Sequence, residues 1–135
     1  MQEQLEAVTL FQKAFGQNVS EVPTLISKEK AELRYSLGLE ELNEYQDAVE
    51  ANDLIEIADS LTDQLYILCG TILEHGMQNI IEDCFREVQR SNMSKLDDNG
   101  KPIINGENGI YDFTRAMGKV LKSSNFSEPN LKQFL

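Results

Sequence analysis

Residues 40–63 read EELNEYQDAVEANDLIEIADSLTD. The segment carries two acidic trios, Glu40/Glu41/Glu44 and Glu56/Asp59/Asp63, parted by a short break around Ala51–Asp53. Residues three or four apart share a helix face, so each trio projects from one side of its own helix. If the two helices fold back antiparallel, five or six carboxylates meet in one cleft. Like charges so close repel, and either some take up protons or a cation settles between them. A hard divalent metal is the simplest resident.

Working outward, the spacing predicts an all-α chain. Leu5, Val8, Phe11 and Phe15 recur at helical spacing over residues 2–15, and Gly16 ends that helix. Pro23 orders a loop over 17–27, whose Val22, Leu25 and Ile26 are apolar enough to pack on the domain. Ser27 caps a second helix over Lys28–Ala51 with a buried stripe of Ala31, Leu33, Leu37, Leu42, Tyr45 and Val49. Gly38 inside it predicts the close approach of another backbone. A third helix starts at Asp53, runs to His75 and is stopped by Gly76. It is apolar on nearly every side, which predicts a buried central helix, yet it contains Glu56, Asp59 and Asp63. Buried carboxylates are rare unless paired or metal-bound. A fourth helix is expected over Met77–Asn92, with Ile80, Ile81, Cys84, Phe85 and Val88 inward.

Beyond residue 92 the composition shifts to Gly, Asn and Asp. Asn99-Gly100 marks a turn, residues 110–122 are semi-regular, and the tail is draped by Phe126, Leu131, Phe134 and Leu135. The expectation is one domain over residues 1–135, an antiparallel bundle of four to five helices with an irregular arm from 93. Its length suffices for a core.

The net charge of −11 argues against nucleic acid or an anionic membrane as partner. A nucleotide stays open, because a bound metal inverts the charge of an acidic site. The N-terminus lacks a signal-peptide pattern, and no apolar stretch is long enough to span a bilayer. Cys69 and Cys84 read as buried free thiols of a cytoplasmic protein.

The pairing Glu41-x-x-Glu44, eleven residues, Glu56-x-x-Asp59 is the strongest chemical signal. Within a pair the carboxylates are three rises of ~1.5 Å apart, the span to grip one ion from one helix. Magnesium keeps waters and completes its shell with substrate phosphates. The pattern therefore predicts metal plus phosphate, a water as nucleophile, and a glutamate such as Glu40 or Glu44 as base. Di-iron bundles need Glu-x-x-His pairs, and the one histidine, His75, reads as a helix cap. Asp97-Asp98-Asn99-Gly100 lacks the bidentate glutamate of an EF-hand and is read as a turn. Asn92, Lys95, Lys101, Arg115, Lys119 and Lys122 supply positive and polar groups after the acidic core. Asn92 and Lys95 are placed to reach one phosphate together.

The string Arg34…Leu39-Glu40-Glu41-Leu42-Asn43-Glu44, then Ala58-Asp59-Ser60-Leu61-Thr62-Asp63-Gln64-Leu65-Tyr66 and Gly70-Thr71, resembles the all-α nucleoside triphosphate pyrophosphohydrolases. That superfamily includes MazG-type enzymes, phosphoribosyl-ATP pyrophosphohydrolases and dimeric dUTPases. Ser91-Asn92-Met93-Ser94-Lys95-Leu96, Asp98-Asn99-Gly100-Lys101-Pro102 and Gly118-Lys119-Val120-Leu121-Lys122 look like its phosphoribosyl-ATP pyrophosphohydrolase-like branch with MazG-like activity. The resemblance implies a Mg²⁺-dependent (or Mn²⁺-supported) split of a nucleoside triphosphate into monophosphate and pyrophosphate by a homodimer or homotetramer. By position it implies Glu41, Glu44, Glu56 and Asp59 as metal ligands and Glu40 as a further ligand or the base. Asp63 becomes an additional or outer acid, and Asn92, Lys95, Lys119 and Lys122 the phosphate holders. Ile104–Met117 departs from the shorter arm so implied. Phe11 or Phe15 would stack on a base if the first helix lines the pocket. The alternatives are phosphoribosyl-ATP hydrolysis in histidine biosynthesis and a helical binding module without catalysis.

Overall fold

The computed structural model describes residues 1–135 as four α-helices and one short 3-10 helix, with no strand. The chain falls into two compact units, Met1–Ile81 and Glu82–Leu135.

The first unit holds α1 (Gln2–Ala14), α2 (Lys28–Ala51) and α3 (Leu54–Glu74). Their ends follow from local chemistry. The Ser27 hydroxyl accepts from the Lys30 N–H at 3.3 Å, and Asp53 accepts from the N–H groups of Ile55 and Glu56, each side chain serving donors that a helix start leaves unpaired. Asn52 takes a left-handed φ of 55°, and the N–H groups of Asn52 and Asp53 return to the carbonyls of Val49 and Ala48. This two-residue turn sends α3 back along α2. Arg34 reaches the Thr71 hydroxyl and the Ile67 carbonyl, and Gln64 reaches the Glu41 carbonyl, which fixes the antiparallel register. Gly76 follows α3 at φ 67°, where an added Cβ would run into the Val22 backbone.

The core sits where α1 lies on the C-terminal half of α3: Leu5, Val8, Cys69, Ile72 and Leu73, with Val19, Met77 and Ile81 against them. The 17–27 loop is fastened to it by Ser20 and Thr24, whose N–H groups donate to the carbonyls of Leu73 and His75.

Several expectations about burial are corrected. In α3 the buried residues are Ser60 and a run near the C-terminal end, Cys69, Gly70 and Ile72–Glu74; Leu54 and Ile55 are largely exposed, and Leu61, Leu65 and Leu68 are about half exposed. In α2 the expected stripe is largely open, with Leu33, Leu42, Tyr45 and Val49 exposed and Ala48 the buried residue. The reason is simple: three helices present more apolar face than they can cover among themselves. Val22 and Leu25 point into solvent rather than onto the core. Gly38 has nothing within 4 Å of where its Cβ would be; Gly70 is the close-approach glycine, under the Arg34 guanidinium. Cys84 is half-buried, and only Cys69 is fully buried.

The second unit contains α4 (Ile81–Met93) from its second residue on, and the arm. Residues 77–80 form a turn rather than the expected first turn of α4. The Asn99-Gly100 turn is built as expected: the Asp97 carboxylate accepts from the N–H groups of Asn99 and Lys101. The tail is tied back to α4, since Glu87 accepts from the Asn130 N–H and Arg90 donates to the Glu128 carbonyl. It ends in a 3-10 helix, Leu131–Phe134. Between these lies a loop closed by a single antiparallel bridge, Ile104 to Val120. At its tip Tyr111 and Phe113 stack with ring centroids 6.1 Å apart, and Phe113 is almost wholly exposed. No helix is long and apolar enough to cross a membrane.

Candidate active site

The α2–α3 hairpin brings the two acidic segments together. Glu44, Asp47, Asp53, Glu56 and Asp59 line one cavity of about 430 Å³, floored by Ala48, Ala51 and Ser60. The small side chains at 48, 51 and 60 let the two backbones close up, so that carboxylates from both helices share one space. Asp47 and Asp53 were not among the residues singled out by sequence. Asp53 was read as a cap, and Asp47 lies one helical step, i+3, from Glu44 on the same face.

Glu40, Glu41 and Asp63 do not line that cavity. They are nevertheless coupled to it through Glu41, whose carboxyl is pushed above the usual glutamate range. Loss of solvent is the main cause, followed by the charges of Glu44, Asp63, Glu40 and Asp59. Its Oε2 is buried and accepts no hydrogen bond. A desolvated, unpartnered carboxylate oxygen among four other acids costs free energy as it stands.

A cation would relieve that cost. The donor set fits a hard divalent ion, since every candidate is a carboxylate oxygen and no histidine or thiolate is among them. The carboxylates are gathered but not closed: no three His, Cys, Asp or Glu side chains are set as a finished metal cage.

The phosphate-holding candidates lie in the second unit. Lys95, Lys119 and Lys122 line a cavity of about 480 Å³ together with Asp112, Arg115, Val120 and Leu121. Asn92, in the last turn of α4, holds Lys95 by a 2.7 Å bond from the ammonium to its Oδ1. Lys122 lies 3.6 Å from Glu128 and 3.9 Å above the Phe126 ring. Arg115, which the sequence pattern marks only as a positive charge, joins this group.

In the first unit, an apolar cavity of about 280 Å³ is lined by Val8, Phe11, Leu33, Leu37, Tyr66 and Gly70, with Gln12 and Arg34 as polar neighbours. Phe11 meets Tyr66 edge-on at 5.6 Å and Phe15 at 4.4 Å. Phe11 thus lines a pocket, whereas Phe15 is not among its lining residues. His75 closes α3 as expected, its Nδ1 2.9 Å from the Thr24 carbonyl.

Compared with known proteins, residues 8–92 match the model of the phosphoribosyl-ATP pyrophosphohydrolase family, which is more than half of the 135 residues. No curated protein matches the chain.

Proposed function

The chain belongs to the phosphoribosyl-ATP pyrophosphohydrolase family, whose members hydrolyse acid anhydrides, and we propose that it releases pyrophosphate from a nucleotide substrate in a Mg²⁺-dependent reaction. Water attacks a phosphorus of the triphosphate, the bridging P–O bond between the α and β phosphates breaks, and a monophosphate and pyrophosphate leave. Glu41, Glu44, Glu56 and Asp59 would hold the metal, and Asp63 would add charge beside them. A divalent ion there supplies neutralisation of phosphate charge and acidifies water. Glu40 or Glu44 takes the proton that the attacking water gives up. Asn92, Lys95, Lys119 and Lys122 hold phosphate oxygens by charge-assisted hydrogen bonds. The observation that carries this reading is the acid set around Glu41, an expensive arrangement unless a cation completes it.

Of the two substrate readings drawn from the sequence, the family match speaks for phosphoribosyl-ATP, the substrate of that name in histidine biosynthesis. Nucleoside triphosphates at large are the second reading. It is favoured by the runs Asp98–Pro102 and Gly118–Lys122, which lie beyond the matched residues and resemble the phosphoribosyl-ATP pyrophosphohydrolase-like branch that has MazG-like activity. The bare apolar faces of α2 and α3 support assembly into a homodimer or homotetramer, and the reduced cysteines suit a cytoplasmic enzyme.

The test is a product-resolved assay with Mg²⁺ on phosphoribosyl-ATP beside ordinary and modified nucleoside triphosphates. Equimolar monophosphate and pyrophosphate are expected from the preferred substrate, with Glu44→Gln slower by at least about 100-fold, the scale of losing a general base. Absence of turnover across the panel, with Glu44→Gln indistinguishable from the parent, would sink the proposal.

A further inference from the structure

The cation-lined cavity of the second unit carries more than the lysines that the resemblance picked out. Every residue lining it lies beyond the stretch that matches the family, so the match assigns nothing there. In a chain of net charge −11, four of its twelve cationic side chains, Lys95, Arg115, Lys119 and Lys122, surround one space of about 480 Å³, with Asp112 the single acid. That concentration of positive charge favours an anion.

The four cations are not equally available. Lys95 is held by Asn92, and Lys122 is shared with Glu128 and the Phe126 ring. The Asp112 carboxylate accepts from the Thr114 N–H at 2.9 Å and the Thr114 hydroxyl at 2.6 Å, so much of its hydrogen-bonding capacity is used locally. Arg115 and Lys119 form no salt bridge, although the Arg115 charge reaches Asp112 and is a lesser cause, after the bonds from Thr114, of its carboxyl lying below the usual range. The planar fork of donors on Arg115 is suited to two oxygens of one phosphate at once.

Arg115 also sits on a loop with a defined clamp. Asn105 is 1% exposed, the most deeply buried polar residue of the unit. Its Nδ2 donates toward the carbonyls of Asp112, Arg115 and Ala116 at 2.9–3.1 Å. Its Oδ1 accepts from the Asp112 N–H at 2.7 Å. Its own N–H and C=O pair with the Lys119 carbonyl and the Gly118 N–H, each at 2.9 Å. One side chain thus fixes the backbone of Asp112, Arg115 and Ala116, and its peptide groups fix Gly118 and Lys119. An amide supplies donors and an acceptor together, which neither a carboxylate nor an aliphatic group of that size can do.

We propose that Arg115 is a phosphate-binding residue of this cavity and that Asn105 is the positioning residue that sets Arg115 and Lys119 around the anion. The ligand class is a phosphate or polyphosphate anion, which rests on the reading of the substrate as a nucleotide.

The experiment is calorimetric titration of the full chain with inorganic pyrophosphate and, separately, ribose 5-phosphate, in the presence of a chelator so that the carboxylates take no metal. Arg115→Ala is expected to weaken binding of one of the two about 10-fold, near 1.4 kcal/mol, and Arg115→Lys to recover part of it. Which ligand responds tells whether the cavity takes the polyphosphate or a lone phosphate end. Asn105→Ala is expected to lose about as much, and the double variant little more, because the two act through one contact. Binding of both ligands by Arg115→Ala at parental affinity overturns the proposal. Losses that simply multiply in the double variant overturn the role of Asn105. Arg115 is exposed, so its variants fold whatever happens to Asn105→Ala. The readout needs no turnover. Arg115-dependent binding in a chain inactive on every nucleotide would uphold this site while removing the catalytic reading.

Discussion

Glu41 keeps one carboxylate oxygen away from water and from any donor, with four other acids around it. Because its folded-state pKa is raised, the folded chain holds the Glu41 proton more tightly than the unfolded chain does. Its favourable contribution is complete below the ordinary glutamate range and is lost as pH rises through the raised value. At neutral pH the ionised group is therefore a liability of the metal-free chain. Glu41→Gln is expected to raise the melting temperature at pH 7 in chelator. Adding Mg²⁺ should stabilise the parent and leave the variant nearly unmoved, as ligand linkage requires. Differential scanning calorimetry with and without the ion checks both, and a variant less stable than the parent in chelator would contradict the repulsion argument.

At the scale of elements, Glu87 is a central part of the link between α4 and the tail, beside the bond from Arg90 to the Glu128 carbonyl and the bonds between Ser94 and Ser127. The Glu87 carboxylate accepts from both Nε and Nη2 of Arg90 and from the Asn130 N–H. The Arg90 hydrogen bond, then the Asn130 N–H, hold its pKa down at about 2. A depressed carboxylate stabilises above its unfolded value, and that stability drains away as pH falls from the ordinary glutamate range toward about 2. Acid titration followed by amide exchange is expected to release residues 128–134 before the body of α4, and Glu87→Gln to release them already at neutral pH. Simultaneous loss of helix and tail in the parent would refute the clamp. The helices themselves were legible because their punctuation is local: Ser27, Asp53 and Gly76 act on neighbours within a few residues. The acidic pairing was legible for the same reason, being a matter of spacing on two consecutive helices. Burial was not, since periodicity names an apolar face without naming what lies against it, and α3 illustrates that gap. Asn105 was illegible too. Among Ile104, Gly106 and Asn108 it reads as turn chemistry, while its partners lie up to 14 residues further along.

For the whole molecule, the uncovered apolar surface is the dominant unpaid cost. Leu42, Tyr45 and Val49 recur along one face of α2, as Leu61, Leu65 and Leu68 do along α3, and all six are exposed in the isolated chain. Covering such faces is worth roughly 25 cal/mol per Å², so self-association is expected. Sedimentation velocity should find a dimer or tetramer, and Leu61→Asp or Leu68→Asp should shift it toward monomer; a monomeric parent would refute the assembly. The stacked Tyr111–Phe113 tip of the closed loop has a separate, practical meaning. The chain contains no tryptophan, and Phe113 is solvent-exposed two positions before Arg115. Phe113→Trp would make that tip the sole indole emitter of the protein, turning the bridged loop into an optical gauge of whatever enters the cavity beside it.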